Sequence, residues 1–284
     1  MTDKIVLVTG ATGRQGGAVA NALIDLGFKV KTLVRHADSE RAKALSKLGA
    51  GVTVGDLDDA TSLARALEGA WGVFAVQNTW EAGVEREEEQ GKRLARVARE
   101  RGVKHFVYSS VCSANRATSI PHFENKWRIE EEVRKLDFPS YTILRPVFFM
   151  ENFCSPWFKP ALADGQLTLG VRPDTRLQMI AVGDIGRVGG RAFEEHSRFN
   201  RRELALAGDA CTMPEAAATL SRALGKAIRF APTAPAEIRQ ANPDFAAMLE
   251  WFDRVGYDAD LTFMRRELGF EATRLAEWAR GVTW

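Results

Sequence analysis

Residues 4–16 read Lys4-Ile-Val-Leu-Val-Thr-Gly-Ala-Thr-Gly-Arg-Gln-Gly16, and this stretch decides the fold. The short aliphatic run Ile5–Val8 predicts a buried strand, and the amphipathic sequence from Gly17 to Leu26 predicts the helix that follows it. A strand that turns into a helix through a glycine-rich loop is the first unit of a Rossmann-like α/β sheet. We therefore expect the chain to begin with such a unit.

The three glycines of this loop have the spacing that a dinucleotide phosphate requires. Gly10 permits a tight turn, Gly13 lets the backbone approach the pyrophosphate, and Gly16 lets the helix pack closely against the strand. The free N–H groups at the start of the helix then point at the anion. The sequence thus predicts a dinucleotide-binding site.

The residue that follows the second strand indicates which dinucleotide is bound. The run Lys29–Val34 predicts this strand, and Arg35 follows it about twenty residues after the glycines, where an acidic residue would select NAD. A guanidinium is suited to a bidentate phosphate contact, so Arg35 favours NADP(H) through its 2′-phosphate. The alternative is that Arg35 is only a solvated residue at the end of a strand.

Length and composition are typical of an ordinary globular protein. The 284 residues can form one large α/β domain or a nucleotide-binding domain with a smaller lobe. With 27% charged residues and a net charge of +2, nothing favours nucleic acid or a membrane surface as a partner. No apolar run reaches the length of a membrane span, and the cysteines, Cys112, Cys154 and Cys211, fit no zinc spacing. We expect free thiols, no metal and a cytoplasmic location.

Up to about residue 150, predicted strands and helices alternate with short connections, which predicts a doubly wound parallel sheet. Beyond that point the alternation breaks down, although further strands are predicted at 167–169, 177–182 and 202–207. We therefore expect an NADP-binding Rossmann domain at 1–150 and a smaller substrate or partner lobe at 151–284, with some strands of the lobe returning to the sheet. Asp184 is expected to cap the helix that follows it.

Two stretches rich in acidic residues need interpretation, and in the second, residues 85–101, Leu94, Val97 and Ala98 are expected to hold one side of a helix to the sheet. Asp56 follows the third predicted strand, where it can reach an adenine edge, whereas Asp58 or Asp59 is expected to cap the next helix. The sequence Glu85–Arg101 predicts a helix rich in charge, and such a run is typical of a solvated face.

The chain resembles the NmrA-like group of atypical short-chain dehydrogenases. The resemblance rests on Thr9-Gly-Ala-Thr-Gly-Arg-Gln-Gly16, Gly55-Asp56, Tyr108-Ser-Ser110, His122-Phe-x-x-Lys126, Leu144-Arg-Pro146, Phe149-x-Glu-Asn152 and Asp184-Ile-Gly186. It implies a Rossmann-like fold and an NADP(H) site in which Arg35 meets the 2′-phosphate and a glycine loop holds the pyrophosphate. The residues that it implies for the glycine loop and the 2′-phosphate are Gly10, Thr12, Gly13, Arg14, Gln15, Gly16 and Arg35. It places Asp56 and Leu57 by the adenine and Val76 and Gln77 along the ribose. It places Lys126 by the nicotinamide ribose, and Pro146 and Phe149 at the nicotinamide edge.

The chain departs from ordinary short-chain dehydrogenases, in which a Tyr four residues before a Lys exchanges a proton with a carbonyl substrate. None of Tyr108, Tyr141 and Tyr257 has a Lys four residues later, and His122 lies four residues before Lys126. Three interpretations remain open: Lys126 only holds the cofactor ribose; Lys126 or His122 supplies a proton while NADPH reduces a quinone or activated alkene; or the site performs a sugar-type reaction.

An apolar pocket beside the nicotinamide is a further hypothesis. Its candidate lining residues are Trp80, Ser110, Phe148, Met150, Phe153 and Trp157, although aromatic clusters are more often core. Together these observations predict either an NADPH-dependent reductase or a redox sensor that regulates a protein partner. The expected partner is a small-molecule acceptor or a regulatory protein, a homodimer is one option for assembly, and direct nucleic-acid binding is not expected.

Overall fold

The computed structural model describes residues 3–284. Within them the strands are β1 (Ile5–Val8), β2 (Lys29–Val34), β3 (Gly51–Val54), β4 (Gly72–Ala75), β5 (His105–Ser109), β6 (Ser140–Pro146), β7 (Phe148–Phe149), β8 (Gln166–Leu169), β9 (Arg176–Ile180), β10 (Arg202–Leu206), β11 (Asp209–Thr212) and β12 (Arg229–Pro232). The α-helices are α1 (Arg14–Asp25), α2 (Glu40–Lys47), α3 (Ala60–Ala66), α4 (Thr79–Ala82), α5 (Val84–Glu100), α6 (Pro121–Lys135), α7 (Lys159–Ala163), α8 (Val182–Glu194), α9 (His196–Phe199), α10 (Met213–Leu224), α11 (Pro235–Ala241), α12 (Pro243–Arg254), α13 (Phe263–Leu268) and α14 (Leu275–Gly281).

The central element is a seven-stranded sheet with the order β10-β6-β5-β4-β1-β2-β3. The pairs β1–β2, β1–β4, β2–β3, β4–β5 and β5–β6 are all parallel. Chain order reverses at β1, because β2 and β4 lie on its two sides. The predicted Rossmann-like, doubly wound class is confirmed. In such sheets ligands bind at the carboxyl ends of the strands, beside this reversal.

The chain forms two compact units. Of the described residues, unit 1 contains 3–115, 122–145 and 185–204, which include the strands of the large sheet from β1 to β6. Unit 2 contains residues 116–121, 146–184 and 205–284, with a three-stranded sheet β11-β9-β7 and the parallel pair β12-β8.

The core of unit 1 explains why its strands are aliphatic. Leu7 on β1, Val73 on β4, Phe106 on β5 and Ile143 on β6 are fully buried in one cluster with side chains of the flanking helices. Strands that are covered on both faces need apolar residues at successive positions, as in Ile5–Val8. This burial holds the strand ends, and therefore the loops that follow them, in fixed positions.

Two predicted boundaries are wrong. Helix α1 begins at Arg14 and not at Gly17, because Gly13 occupies the capping position and its carbonyl accepts the first helical bond, from Gly17 N, at 3.1 Å. Asp184 lies inside the first turn of α8, where its carboxylate accepts hydrogen bonds from Thr273 N and Oγ1 at 2.8 and 2.9 Å. The carboxylate of Glu151 instead accepts from Val182 N, at 3.0 Å, at the start of α8.

Candidate functional site

The glycine loop forms a tight cradle at the carboxyl end of β1. Gly10 has φ +60°, a value that favours glycine, and Gly13 N donates to Gly10 O at 2.8 Å. A Cβ on Gly16 would lie 2.4 Å from the carbonyl carbon and oxygen of Gly10, so any side chain there would force the backbone apart. The shape of the cradle therefore requires glycine at positions 10 and 16.

Helix α1 presents its first amides to this cradle. The N–H groups of Arg14, Gln15 and Gly16 precede the first helical hydrogen bond, from Gly17 N to Gly13 O. Such amides form an anion site when a phosphate approaches the helix start. The first turn contains no acidic residue that would repel an anion.

Side chains brace the loop from three directions. Thr9 accepts a hydrogen bond from Val76 N at 3.0 Å and so joins the ends of β1 and β4. Arg41 on α2 donates to the carbonyl of Thr12 at 3.0 Å. Ser109, at the end of β5, donates to the side chain of Gln15 at 2.7 Å. The loop is thus fixed by bonds to neighbouring strand ends and to α2.

A surface depression lies at the ends of β2 and β3. It has a volume of about 410 Å³. Its lining residues come from both strand ends and from α3: Arg35, His36, Val54, Gly55, Asp56, Asp59, Ser62 and Arg65. Arg65 was not singled out from the sequence, because its position on α3 gave no motif. The depression therefore has two guanidinium groups, those of Arg35 and Arg65, among its lining side chains.

The acidic residues around this depression have structural partners. Asp56 accepts a hydrogen bond from Asp58 N at 2.9 Å, and Asp59 accepts one from Thr61 N at 2.9 Å. Asp59 is therefore the N-cap of α3, as expected for one of the two aspartates. Asp58 binds Arg86, and that hydrogen bond holds the pKa of the Asp58 carboxyl below its usual value. Leu57 is partly buried and packs against the core of unit 1.

Two buried polar side chains follow the neighbouring strands β4 and β5. Ala75 pairs with Tyr108, so Gln77 and Ser110 lie at the same level, two residues beyond that pair. The exposed fractions are only 6% for Gln77 and 4% for Ser110. Within residues 3–284, neither the Gln77 amide atoms nor Ser110 Oγ have a hydrogen-bond partner. Because buried polar groups are normally paired, these atoms indicate a site for a polar ligand.

Lys126, on α6, is held by a buried carboxylate. Its Nζ lies 2.5 Å from Glu87 Oε1 on α5, and the side chains are 12% and 0% exposed, respectively. Glu87 Oε2 also accepts hydrogen bonds from Thr79 Oγ1 and, at 2.9 Å, from Asn125 Nδ2. We call Thr79, Glu87, Asn125 and Lys126 the Glu87 cluster.

The Glu87 cluster keeps its carboxylate ionised. Burial would raise the pKa of Glu87, but the charge of Lys126 and hydrogen bonds from Lys126, Thr79 and Asn125 outweigh it, so that pKa lies below its usual value. Leu94, Val97 and Ala98 are buried on one side of this helix, as expected, but Glu87, which belongs to the charged run, is also completely buried. The burial of Glu87 could not be predicted from the sequence, because its neighbours in the run are also charged.

His122 lies one helical turn before Lys126 and is 6% exposed. Its ring packs at 5.1 Å from Trp80 and at 4.9 Å from Phe123, measured between ring centres. Trp80 itself is 55% exposed on α4. Tyr108 is buried, and burial together with the charge of Glu87 raises the pKa of its hydroxyl well above the usual value.

The remaining predicted residues belong to unit 2. Pro146 ends β6, and Phe149, on β7, is half-buried. Met150 and Phe153 have no exposed surface, and Phe148 is 7% exposed. The rings of Phe148, Phe153 and Phe158 pack against one another, with centres 5.5 to 6.5 Å apart. Trp157 is 84% exposed. Of the two interpretations that the sequence allowed, pocket lining and hydrophobic core, the burial of Met150 and Phe153 favours the core.

The part of the chain that the structure describes contains neither a candidate metal-binding cluster nor a candidate membrane-spanning helix. Among the described residues, no three His, Cys, Asp or Glu side chains are grouped so that they could hold a metal ion. No helix in residues 3–284 has the length and apolar character needed to cross a membrane.

The parallel sheet and the glycine cradle at the end of β1 are typical of folds that bind nicotinamide dinucleotides. The unpaired polar groups after β4 and β5 lie where such folds bind their ligand. The NmrA-like family model matches residues 2–280, and the chain belongs to the NmrA-like family. It is 30% identical over 257 residues to the NmrA-like family domain-containing oxidoreductase FrzB of Cladobotryum sp, covering 81% of this chain and 76% of that relative.

Solved structures share the fold. The NADPH-dependent quinone oxidoreductase QOR2 of Escherichia coli, complexed with NADPH, is similar with a TM-score of 0.82 and 24% identity, over 97% of this chain and 98% of that chain. NmrA, a negative transcriptional regulator in complex with NAD, is similar with a TM-score of 0.82 and 20% identity, over 99% of this chain and 96% of that chain. The neighbours therefore include an oxidoreductase and a regulator.

Proposed function

We propose that this protein is an NADPH-dependent reductase of quinones or activated alkenes. The observation that carries the proposal is the set of unpaired, buried polar atoms of Gln77 and Ser110 on the sheet edge that also bears the glycine cradle. Membership of the NmrA-like family and likeness to a quinone oxidoreductase support the same reading.

The residues of unit 1 fit an NADP(H) molecule. In this proposal the cradle of Gly10, Gly13 and Gly16 and the first amides of α1 hold the pyrophosphate. Arg35 binds the 2′-phosphate, because its guanidinium lines the depression at the end of β2. The predicted adenine contacts, Asp56 and Leu57, and the ribose contacts, Val76 and Gln77, remain part of the proposal.

When bound, NADPH supplies a hydride, so the protein must help the acceptor to gain a proton. Lys126 Nζ is the proposed donor, and Glu87 Oε1 holds it in one position and keeps a compensating charge beside it. The unpaired Ser110 hydroxyl is proposed to hydrogen-bond the acceptor oxygen. Quinones and activated alkenes are already electrophilic, so they need less acid assistance than a simple ketone. This suits a site without the Tyr–Lys pair.

The test is NADPH consumption by the purified protein with a panel of quinones and activated alkenes. Lys126→Ala is compared with Lys135→Ala, which removes an exposed lysine from the same helix. We expect turnover by the wild type and by Lys135→Ala, and loss of turnover with retained NADPH binding in Lys126→Ala. Absence of turnover with every acceptor, or full activity of Lys126→Ala, would contradict the proposal.

One observation favours a second function, a sensor of the NADPH/NADP⁺ ratio. Lys126 is already ion-paired to Glu87, and α6 carries no tyrosine beside it. A protein of the same fold, NmrA, is a negative transcriptional regulator. A sensor needs different affinities for NADPH and NADP⁺, because a ligand shifts an equilibrium only by its differential affinity. Equal affinities would exclude this function.

A further inference from the structure

Arg35 is already occupied by a carboxylate of the same chain. Its Nη2 forms an ion pair with Glu81 Oε1, and the side chains are 60% and 51% exposed, respectively. Arg35 follows β2, and Glu81 lies on α4, which follows β4. Since β2 and β4 flank β1 in the sheet, the ion pair joins the elements on both sides of the glycine cradle.

We propose that Glu81 is a specificity-determining residue that competes with the cofactor 2′-phosphate for Arg35. The proposal rests on the NADP(H) function proposed above. A 2′-phosphate must displace the Glu81 carboxylate from the guanidinium, whereas NAD, which has a hydroxyl at this position, leaves the ion pair intact. Glu81 therefore lowers the affinity for NADP(H) and has little effect on the affinity for NAD.

The chemistry of the two competitors favours the phosphate. An ion pair between exposed side chains is weak, since solvent screens it and ordering two long side chains opposes it. A phosphate presents three oxygens to a planar guanidinium and carries more charge than a carboxylate. Arg65, which lines the same depression, is available as a second cationic contact. We therefore expect the 2′-phosphate to displace Glu81 from Arg35, and the affinity for NADP(H) to be lower than it would be without Glu81.

Helix α4 carries both Glu81 and a member of the Glu87 cluster, Thr79. This helix has only four residues: Thr79, at its start, donates a hydrogen bond to Glu87, and Glu81 lies two residues later. The helix ends at Ala82, and its C-cap Gly83 has φ +84°.

The test measures binding of NADP⁺, NAD⁺ and 2′,5′-ADP to the full chain by calorimetry. In Glu81→Gln we expect NADP⁺ and 2′,5′-ADP to bind about two- to five-fold more tightly, the range of an exposed ion pair, and NAD⁺ to change by less than about 1.5-fold. Glu85→Gln is the matched control, because it removes the same charge from an exposed position nearby. It should leave all three affinities unchanged.

A double-mutant cycle separates competition for Arg35 from simple repulsion between Glu81 and the phosphate. When Arg35 is replaced by Ala, Glu81→Gln should no longer tighten NADP⁺ binding. Persistence of the full gain in the Arg35→Ala background would overturn the inference, as would an unchanged or weaker affinity in Glu81→Gln alone, or equal tightening of NAD⁺.

The outcomes distinguish this inference from the proposed function. Selective loss of NADP⁺ affinity in Arg35→Ala, without any effect of Glu81→Gln, removes the role of Glu81 and leaves the cofactor assignment intact. No binding of NADP⁺ and 2′,5′-ADP to the wild type, or equal weakening of both dinucleotides in Arg35→Ala, removes both.

Discussion

The glycine cradle and the Glu87 cluster both belong to unit 1, but one is built from backbone and the other from buried charge. The cradle works because Gly10 and Gly16 leave no room for side chains. The cluster works because Glu87 and Lys126 compensate each other, together with hydrogen bonds from Thr79 and Asn125. The first should respond to added volume and hardly to pH. The second should respond to loss of a single partner and to acid.

The largest effect is expected from Glu87→Ala. Removing the carboxylate leaves the mostly buried ammonium of Lys126 without a partner, and we expect the free energy of unfolding to fall by about 3 kcal/mol. Urea denaturation at pH 7 measures it. Glu89→Ala, at an exposed position of the same helix, should change stability by less than about 0.5 kcal/mol.

The double variant Glu87→Ala/Lys126→Met sharpens this test. If the two charges compensate each other, the double variant should lose less stability than the sum of the single losses. Additive losses would show that the cluster is not held together by the ion pair.

A somewhat smaller loss is expected from Gly16→Ala. The added Cβ would lie 2.4 Å from the Gly10 backbone, so the loop must move, at about 2 kcal/mol, and NADP⁺ binding should weaken with it. Gly183→Ala is the control, because a Cβ there meets no described atom within 4 Å. It should keep or raise the thermal midpoint. Equal behaviour of the two variants would mean that the cradle is not closely packed.

Arg35→Ala should weaken NADP⁺ binding by about 1–3 kcal/mol, the contribution of charge-assisted hydrogen bonds, and hardly affect NAD⁺. Stability should stay the same, since Arg35 is 60% exposed and its ion pair with Glu81 is weak. Calorimetric titration with both dinucleotides measures the difference. Loss of stability in this variant would contradict the prediction that Arg35, unlike Glu87, contributes to cofactor binding and not to the stability of the fold.

The smallest expected effect is a change in acid sensitivity. The folded pKa of Glu87 is below the usual 4.5, so its ionised form contributes stability above about pH 4.5, and this contribution is lost as the pH falls through the lower folded pKa. The stability difference between the wild type and Glu87→Gln should shrink below pH 4.5. Unfolding curves at pH 3 to 7 measure it, and a constant difference would contradict the assignment.

The cradle could be predicted from sequence because a turn leaves a local pattern of glycines, and the aliphatic runs before and after it fixed the parallel sheet. Glu87 could not, because it is one of four glutamates in the stretch Glu85–Glu89, and only the position of α6 decides which of them faces inward. The four-residue helix α4 and the two-residue strand β7 were also not predicted, because neither has enough residues to show a helical or an alternating pattern of its own. Glu81, the partner of Arg35, lies on one of these.

The most direct test of the division between cradle and cluster compares NADPH affinity and NADPH oxidation in the wild type, Glu87→Gln and Glu89→Gln. If the cradle binds the cofactor and the cluster positions Lys126 for the acceptor, Glu87→Gln should keep its NADPH dissociation constant within about three-fold and lose about ten-fold or more in turnover. Glu89→Gln should match the wild type in both. Unchanged turnover in Glu87→Gln, or affinity and turnover lost by the same factor, would contradict the account.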